Sequence, residues 1–476
     1  MSSGPTHTDA KRGTRSNVLL AVLCMAQFML ILDVAVVAVA VPSIQDDLRV
    51  APVDLQWISS AYALAFGGFL IVAGRGADLL GARRVFLAGV LGFVVASLGC
   101  GMAQDTVQLV LARGAQGLAA AVVSPAALAL LTGSLAEGPE RNRALGIWGA
   151  VASGGAVAGQ LLGGLITDLL DWRWIFFINV PVGVCVIVLG SKLLARDRPS
   201  ARARLDLAGA ALLTGGLVLV VFAISNLAER GLEITEIAFG VGGLLALAAF
   251  VVVERRTAGR GGDPIVRFGL FENRHVRYGN LICLLSAAAV GVVIFLTTLY
   301  LQRVLGLSPL QVGLGFAPVT LAIAIVSGYI ARIIERLGLR TTLLIGNLLM
   351  TAGVVLLAFV SADGSYFTHA LPGLMLVGVG SGFSYAPAMI AATTGVAEGE
   401  QGLASGILNT SFQVGGALGV AILVSVAVAA TDGAGVPAAE ALTAGYRAGF
   451  RWAVALPLLI VVAALALPVA KPREGA

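Results

Sequence analysis

Apolar stretches of ~18 to 25 residues recur about 14 times along the chain, separated by short polar connections. They run approximately 18–41, 56–74, 84–103, 107–131, 144–167, 173–194, 205–225, 234–253, 278–301, 310–334, 341–361, 369–393, 403–429 and 448–469. At 1.5 Å per residue each is long enough to cross a bilayer as a helix and far too long for a barrel strand. Backbone in lipid must satisfy its own N–H and C=O groups, which leaves helices as the assignment. Of the 476 residues, 58% are hydrophobic and 12% charged, against about 25% charged in ordinary soluble domains. No water-soluble core absorbs such an excess, so the fold class is an all-α integral membrane protein.

The formal net charge of +5 sits in loops, where the positive-inside bias accounts for it without a nucleic-acid partner. Alternate loops carry Arg75, Arg83, Arg84, Arg141, Arg143, Arg196, Arg255, Arg256, Arg274, Arg336 and Arg340, while the opposite loops hold little beyond Arg49, Arg173, Arg230, Arg303 and Arg447. This predicts an even number of spans with both termini cytoplasmic, in the inner or plasma membrane of the cell. The acidic loop from Ala397 to Gln401 dissents, but acidic residues contribute little to orientation. The first apolar run is too long for a signal-peptide core, so an uncleaved first helix is predicted. The four cysteines, Cys24, Cys100, Cys185 and Cys283, lie inside apolar runs with no CxxC pair and no clustered histidines. Neither a disulfide framework nor a metal site is indicated.

A polar island from Gly74 to Arg84 joins two of the apolar runs and has a degenerate copy: Asp78, Gly81 and Arg83 correspond to Glu335, Gly338 and Arg340. Gly146, Gly155 and Gly159 likewise correspond to Gly406, Gly415 and Gly419, and Ser124-Pro125-Ala126 to Ala386-Pro387-Ala388, at offsets of 257 to 262 residues. That is the signature of a duplicated bundle. The first six spans end near Leu194, so ~60 residues intervene between the copies, enough for two more helices. The predicted organisation is a cytoplasmic segment 1–16, a six-helix bundle 17–200, two inserted helices 201–260, a second six-helix bundle 261–470 and a cytoplasmic tail 471–476.

These stretches resemble the major facilitator superfamily, and specifically its 14-span drug:proton antiporter family. The island resembles the superfamily's cytoplasmic motif between spans 2 and 3, with Gly76 and Leu79 in place of the usual Leu and Arg. The run from Leu32 to Pro42 resembles the first-span motif, keeping Asp33 and Pro42 but carrying Ala35 and Ala38 where Thr and Asn are usual. Leu109 to Ala120, with Arg113, Gln116 and Gly117, matches the span-4 motif, and Gly155 to Gly164 resembles the span-5 antiporter motif with Gln160 replacing its Pro. Trp172 to Pro181, Gly306 to Pro309 and Gly402 to Thr410 are further family-like stretches. The resemblance implies two six-helix bundles plus two inserted helices, no cofactor, and transport driven by the proton gradient.

Asp33 lies in an otherwise apolar span, where a carboxylate costs roughly 2.5 to 3.5 kcal/mol. Its protonation responds to burial and to a neighbouring cation, which makes it the candidate proton carrier. Arg113 lies at a similar depth of ~9 to 12 Å and can pair with it, and the resemblance places both spans beside one central cavity. The static alternative is an Arg113 that snorkels outward. Gly74, Asp78, Gly81, Arg83 and Arg84 are read as a cytoplasmic gate, with Asp78 meeting the N-terminus of the helix that begins near Leu403. The bland alternative is a set of loop charges that only fix orientation. Gly155, Gly159 and Gly163 share a helix face and, with Gln160 and Gly164, form the antiporter-motif helix; close packing alone also explains the face. Gln27, Tyr62, Phe295, Tyr300, Asn409 and Gln413 are candidate cavity residues, although aromatics near span ends also serve as interfacial anchors.

The function predicted is secondary active export of a lipophilic drug-like or antibiotic molecule in exchange for protons by alternating access, by a monomer whose partners are substrate, protons and the bilayer. Symport or facilitated uptake on the same fold, and a non-transporting membrane sensor, are the competing readings. No nucleophile–base pair or metal-ligand cluster supports an enzyme.

Overall fold

The computed structural model describes residues 7–52, 54–134, 139–194, 207–230, 233–260, 264, 266–396, 401–432 and 437–468. The boundaries predicted at 200/201, 260/261 and 470/471, and most of the acidic loop 397–401, fall on or beside residues outside that set. In chain order the α-helices are α1 (His7–Leu48), α2 (Trp57–Leu80), α3 (Ala82–Gly101), α4 (Thr106–Ser134), α5 (Pro139–Leu169), α6 (Trp174–Phe177), α7 (Asn179–Leu193), α8 (Leu207–Arg230) and α9 (Ile234–Gly259). They continue as α10 (Arg274–Arg303), α11 (Pro309–Leu337), α12 (Leu339–Leu357), α13 (Leu371–Thr393), α14 (Gln401–Asp432), α15 (Ala438–Ala453) and α16 (Ala455–Leu465). Among the described residues, 11 helical stretches are long and apolar enough to cross a membrane.

The helix ends follow from local chemistry. Gly81 (φ 93°) is the single residue between α2 and α3, and its repeat counterpart Gly338 (φ 79°) is the single residue between α11 and α12. A side chain with a Cβ rarely adopts that φ, so a glycine at each site lets one rod end and the next begin at once. The Gly306–Pro309 stretch is a helix start. The Ser308 side chain accepts from the Gln311 N–H, the Gln311 side chain reaches back to the Ser308 N–H, and Pro309 opens α11. Two boundaries differ clearly from the sequence reading: the last span begins at Ala438 and not near residue 448, and the first ends late. The first span does not stop at residue 41; α1 runs through Pro42 to Leu48. A proline inside a long rod removes one hydrogen bond without ending the helix when neighbouring helices hold both segments.

Helices α1–α7 pack mainly on one another, with α2 and α3 on α4, α1 on α5 and α7 on α3. Helices α10–α16 do likewise, with α10 on α13 and α14 and α12 on α13. Two seams join these halves, α5 with α11 and α2 with α14. The repeat maps one seam onto the other. Between the two seams α1 meets α10. The inserted hairpin α8–α9 lies over one seam only, α8 touching both α2 and α14.

The halves share one apolar core at the end where α1 finishes, built from Val36, Ile44, Leu55 and Phe176 together with Leu296, Phe316, Val424 and Phe450. At the opposite end, where Arg83 lies, each half has its own: Phe86, Val90 and Leu131 in one, Ile282, Leu343 and Ile460 in the other. The halves therefore share one core at the Leu48 end, while toward the Arg83 end each keeps its own and Val72 of α2 meets Ile407 of α14 only in a small cluster completed by Ala210 and Phe250 of the inserted hairpin.

A buried ion-pair network as the candidate functional site

Asp33 and Arg113 are 0% and 1% exposed, and Arg113 Nη1 lies 2.7 Å from Asp33 Oδ2. The pair is one edge of a larger network. The other carboxylate oxygen accepts from Gln116 Nε2 and from Asn179 Nδ2, both at 2.7 Å. Gln116 in turn donates to Ser97 Oγ at 2.9 Å and accepts from Arg113 Nη1 at 2.6 Å. Arg113 Nε donates to the Ile58 carbonyl at 2.9 Å, and the Tyr62 ring covers the guanidinium with 4.5 Å from Cζ to the ring centroid. One carboxylate thus collects donors from α4 and α7, while Ser97 ties the cluster to α3. An unpaired charge at this depth is too costly to keep, and fully connected polar partners are the condition for retaining it.

The i, i+3 spacing of Arg113 and Gln116 sets both on one face of α4. Gly117, next to Gln116, lets that face close: a Cβ there would meet the Tyr62 backbone. Trp172 and Arg173 hold the α1 end in register, Arg173 Nη1 pairing with Asp47 at 2.6 Å and Trp172 Nε1 donating to it at 3.1 Å. That staple brings α7, and with it Asn179, alongside α1.

The sequence singled out Asp33 and Arg113 but not Gln116, Asn179 or Ser97 as site residues. Gln116 and Asn179 stood within family-like stretches as polar residues in apolar runs, and that was the available signal. The pair was expected beside a central cavity; it is instead sealed inside the first half, with Tyr62 as its lid.

The antiporter-motif helix splits into two faces. Gly155, Gly159 and Gly163 face α1, where Cβ atoms would press on Ile31, Ala35 and Val36 respectively. Gln160 and Gly164 face α11: Gln160 Oε1 accepts from Thr320 Oγ1 at 2.9 Å, and a Cβ on Gly164 would meet Leu310 Cα at 2.9 Å. Gln160 also lines a cavity of about 40 Å³ with Val293, Phe316, Thr320 and Ser381.

Of the island residues, Gly74 faces Pro125 of α4, Gly81 makes the α2–α3 joint, and Arg84 is exposed. Arg83 Nη2 donates to the Ser191 carbonyl of α7 at 2.6 Å, a tie within its own half. The Asp78 side chain, expected to meet the helix near Leu403, lies outside the described residues.

The six candidate cavity residues divide into three buried aromatics and three polar residues that are half-buried or exposed. Tyr62 lids the ion pair, and Phe295 is in the shared core. Tyr300 is fully buried and its hydroxyl donates to the Ser361 carbonyl at 2.8 Å. Asn409 is exposed and donates to the Ser405 carbonyl of its own helix, Gln413 packs against Gly67 of α2, and Gln27 is half-buried on α1. Equal depth and helix spacing do not fix which way a side chain turns once the helices are packed.

The sequence profile of the Major Facilitator Superfamily matches residues 23–420. The chain belongs to that superfamily. It is 42% identical over 461 residues to the puromycin resistance protein pur8 of Streptomyces alboniger, covering 94% of this chain and 90% of that one. It is 40% identical over 432 residues to the cephamycin export protein CmcT of Amycolatopsis lactamdurans, covering 90% and 88%. Among solved structures, the nucleoside transporter NupG superposes with a TM-score of 0.68 at 11% identity, covering 95% of this chain and 99% of that one. An inward-facing bacterial homologue of the lysosomal transporter Spinster gives 0.65 at 16% identity, covering 95% and 96%. These likenesses fix the fold. The superfamily member described here is a multi-pass membrane transporter, not an enzyme.

Proposed function

We propose that this transporter exports a lipophilic drug-like or antibiotic molecule in exchange for protons, with Asp33 carrying the proton. The observation behind this reading is the sealed carboxylate with its three donors, in a chain whose relatives include proteins named for puromycin resistance and cephamycin export. Arg113, Gln116 and Asn179 present N–H groups to Asp33, the set an ionised carboxylate takes. A proton on Oδ1 sets an O–H against Gln116 or Asn179, and a proton on Oδ2 removes the negative charge that Arg113 pairs with, so loading loosens a contact to α4 or α7. Proton binding then becomes a change in how α1 sits in its own half, and α1 also meets α10 of the other half. That is a differential contact of the kind coupled transport needs. Neither a cofactor nor a metal has a role in this scheme; the proton gradient drives it.

We read about 14 spans, adding α2 (24 residues), α5 (31 residues) and α8 (24 residues), each long enough to cross, to the 11 apolar stretches. The arginine-rich Arg83 end is assigned to the cytoplasm, with both termini there, in the cell membrane. The halves then correspond to bundles 17–200 and 261–470, the inserted pair to 201–260, and the closed Leu48 end faces outward. A monomer suffices, since both halves lie in one chain.

Inside-out membrane vesicles with an imposed proton gradient and a pH-reporting dye test this reading against a panel of lipophilic cations, anions and neutral drugs. Substrate-triggered proton release is expected in the wild type and not in Asp33→Asn. Transport with unaltered proton coupling in Asp33→Asn would overturn the assignment of the carrier.

A further inference from the structure

Two adjacent aspartates at the outward end of α1 have opposite loyalties. Asp47 pairs with Arg173 of its own half at 2.6 Å. Asp46 pairs with Arg303 of α10, in the other half, also at 2.6 Å. Arg303 Nη2 further donates to the Pro42 carbonyl at 2.9 Å and to Gln45 Oε1 at 3.0 Å, and Gln302 Nε2 donates to the Val39 carbonyl at 2.9 Å. Two neighbouring side chains of α10 therefore grip four acceptors, on Val39, Pro42, Gln45 and Asp46, spread over the last turns of α1.

The register of the repeat gives this grip its meaning. At the 257-residue offset that relates Gly81 to Gly338, Pro52 corresponds to Pro309, Gln45 to Gln302 and Asp46 to Arg303. Residues related by a two-fold axis touch only where they lie near that axis. The Asp46–Arg303 contact therefore sits on the axis that relates the halves, between the seams α2–α14 and α5–α11. The duplicated Gln-acid/base pair has diverged to opposite charge at the one place where like charges would face each other. A cleft of about 480 Å³ opens beside it, walled by Gln45, Asp46 and Val50 on one side and by Leu299, Val428 and Tyr446 on the other. Its walls come from both halves, so the cleft follows the line between them.

We infer that Gln45-Asp46 and Gln302-Arg303 form the outward gate, a charge pair on the pseudo-two-fold axis whose making and breaking sets access to the interior from outside. They are positioning residues: they lie more than three helical turns along α1 from Asp33, and they act on the balance between outward-closed and outward-open states. Because α1 carries Asp33 at one point and the gate ten or so residues on, movement of α1 upon protonation bears directly on this contact.

The test reads gate opening without substrate or proton gradient, so its outcome is separate from that of the export reading. A reporter Val293→Cys lies about 15 Å below Arg303 along α10, in the closed cavity beside Gln160. The exposed native thiol is removed by Cys185→Ser. In right-side-out vesicles, a membrane-impermeant maleimide reaches position 293 only when the outward end opens. Arg303→Ala and Asp46→Ala are each expected to raise the labelling rate about fivefold, the scale of one solvent-screened, hydrogen-bonded pair. Arg303→Lys is expected to fall between Arg303→Ala and the wild type. The double variant Asp46→Arg with Arg303→Asp is expected to return to within about twofold of wild type. Position 46 then faces the Leu299 carbonyl and Gln302, the counterparts of Pro42 and Gln45. Gln108→Ala, which cuts an exposed contact to Asp105 within the first half at the same end, is expected to leave labelling unchanged. Wild-type labelling in both single variants would overturn the inference. So would equal acceleration by Gln108→Ala, or a double variant as fast as the single ones. If Arg303→Ala does not assemble, Arg303→Lys and the charge-swapped pair carry the same decision.

Discussion

Asp33 is held by three donors and Arg113 by three acceptors, so the members of this network differ in what their loss leaves behind. Gln116→Leu removes a donor to Asp33, an acceptor from Arg113 and the bond to Ser97 while keeping a similar volume. It is expected to cost about 1–3 kcal/mol, read as a fall in the midpoint of thermal unfolding in detergent. Asp33→Asn leaves the Arg113 cation without its anion and is expected to cost about 3–5 kcal/mol. The pair Asp33→Asn with Arg113→Gln is expected to cost less than the sum of its single variants by at least about 1 kcal/mol. Additive losses would mean that the two charges are not coupled. Asp33 and Arg113 were legible as rare charges in apolar runs. Gln116 and Asn179 were harder to read, because an amide in a membrane helix serves equally well as helix-to-helix glue.

Small residues along an element mean different things on its different faces. Gly163 of α5 would press a Cβ onto Val36 Cα at 2.7 Å, on backbone that cannot yield. Gly154 of the same helix is exposed and has nothing within 4 Å of the Cβ position. Gly163→Leu is expected to destabilise the protein by about 1–3 kcal/mol by forcing α1 from α5. Gly154→Ala is expected to be neutral or to stabilise by up to about 1 kcal/mol through helix propensity. A comparison of unfolding temperatures decides; equal losses at the two sites would show that α5 is not held to α1 through this face. The every-fourth-residue spacing of Gly155, Gly159 and Gly163 announced a packing face but named no partner. Gln160, where the motif has proline, joins the opposite face to α11 through Thr320. A hydrogen-bonded seam stands where the motif has a proline.

At the scale of the whole molecule, the shared core at the Leu48 end and the two separate cores at the Arg83 end describe one arrangement of two halves. Export by alternating access requires the opposite one as well. Asp168 of α5 and Ser308 at the start of α11 lie on different halves, with Oδ2 and Oγ 3.4 Å apart, the aspartate exposed and the serine half-buried. With Cys185→Ser, a short thiol-reactive cross-linker between Asp168→Cys and Ser308→Cys is expected to arrest transport almost completely, and a cleavable linker to restore it on cleavage. Undiminished transport by the cross-linked protein would mean that the outward seam need not open. The inserted hairpin adds an asymmetry that the duplication lacks, since α8 spans the α2–α14 seam and the α5–α11 seam has no such cover from α8 or α9.

The sequence by itself determined the all-helical membrane class and pointed to the duplication. Long apolar runs have no alternative in lipid, and a repeat offset survives divergence because it is counted along the chain. It also flagged Asp33, since a charge in an apolar run is conspicuous without any neighbour. The tertiary structure decided which partners meet: Asn179 with Asp33, Tyr62 over Arg113, Arg303 with Asp46 and not Asp47, and Tyr300 and Phe295 in the core and not in a cavity. Those pairings depend on the rotation of each helix about its axis and on its neighbours. Both are set by side-chain packing across ~100 residues or more of intervening chain, which local patterns do not encode.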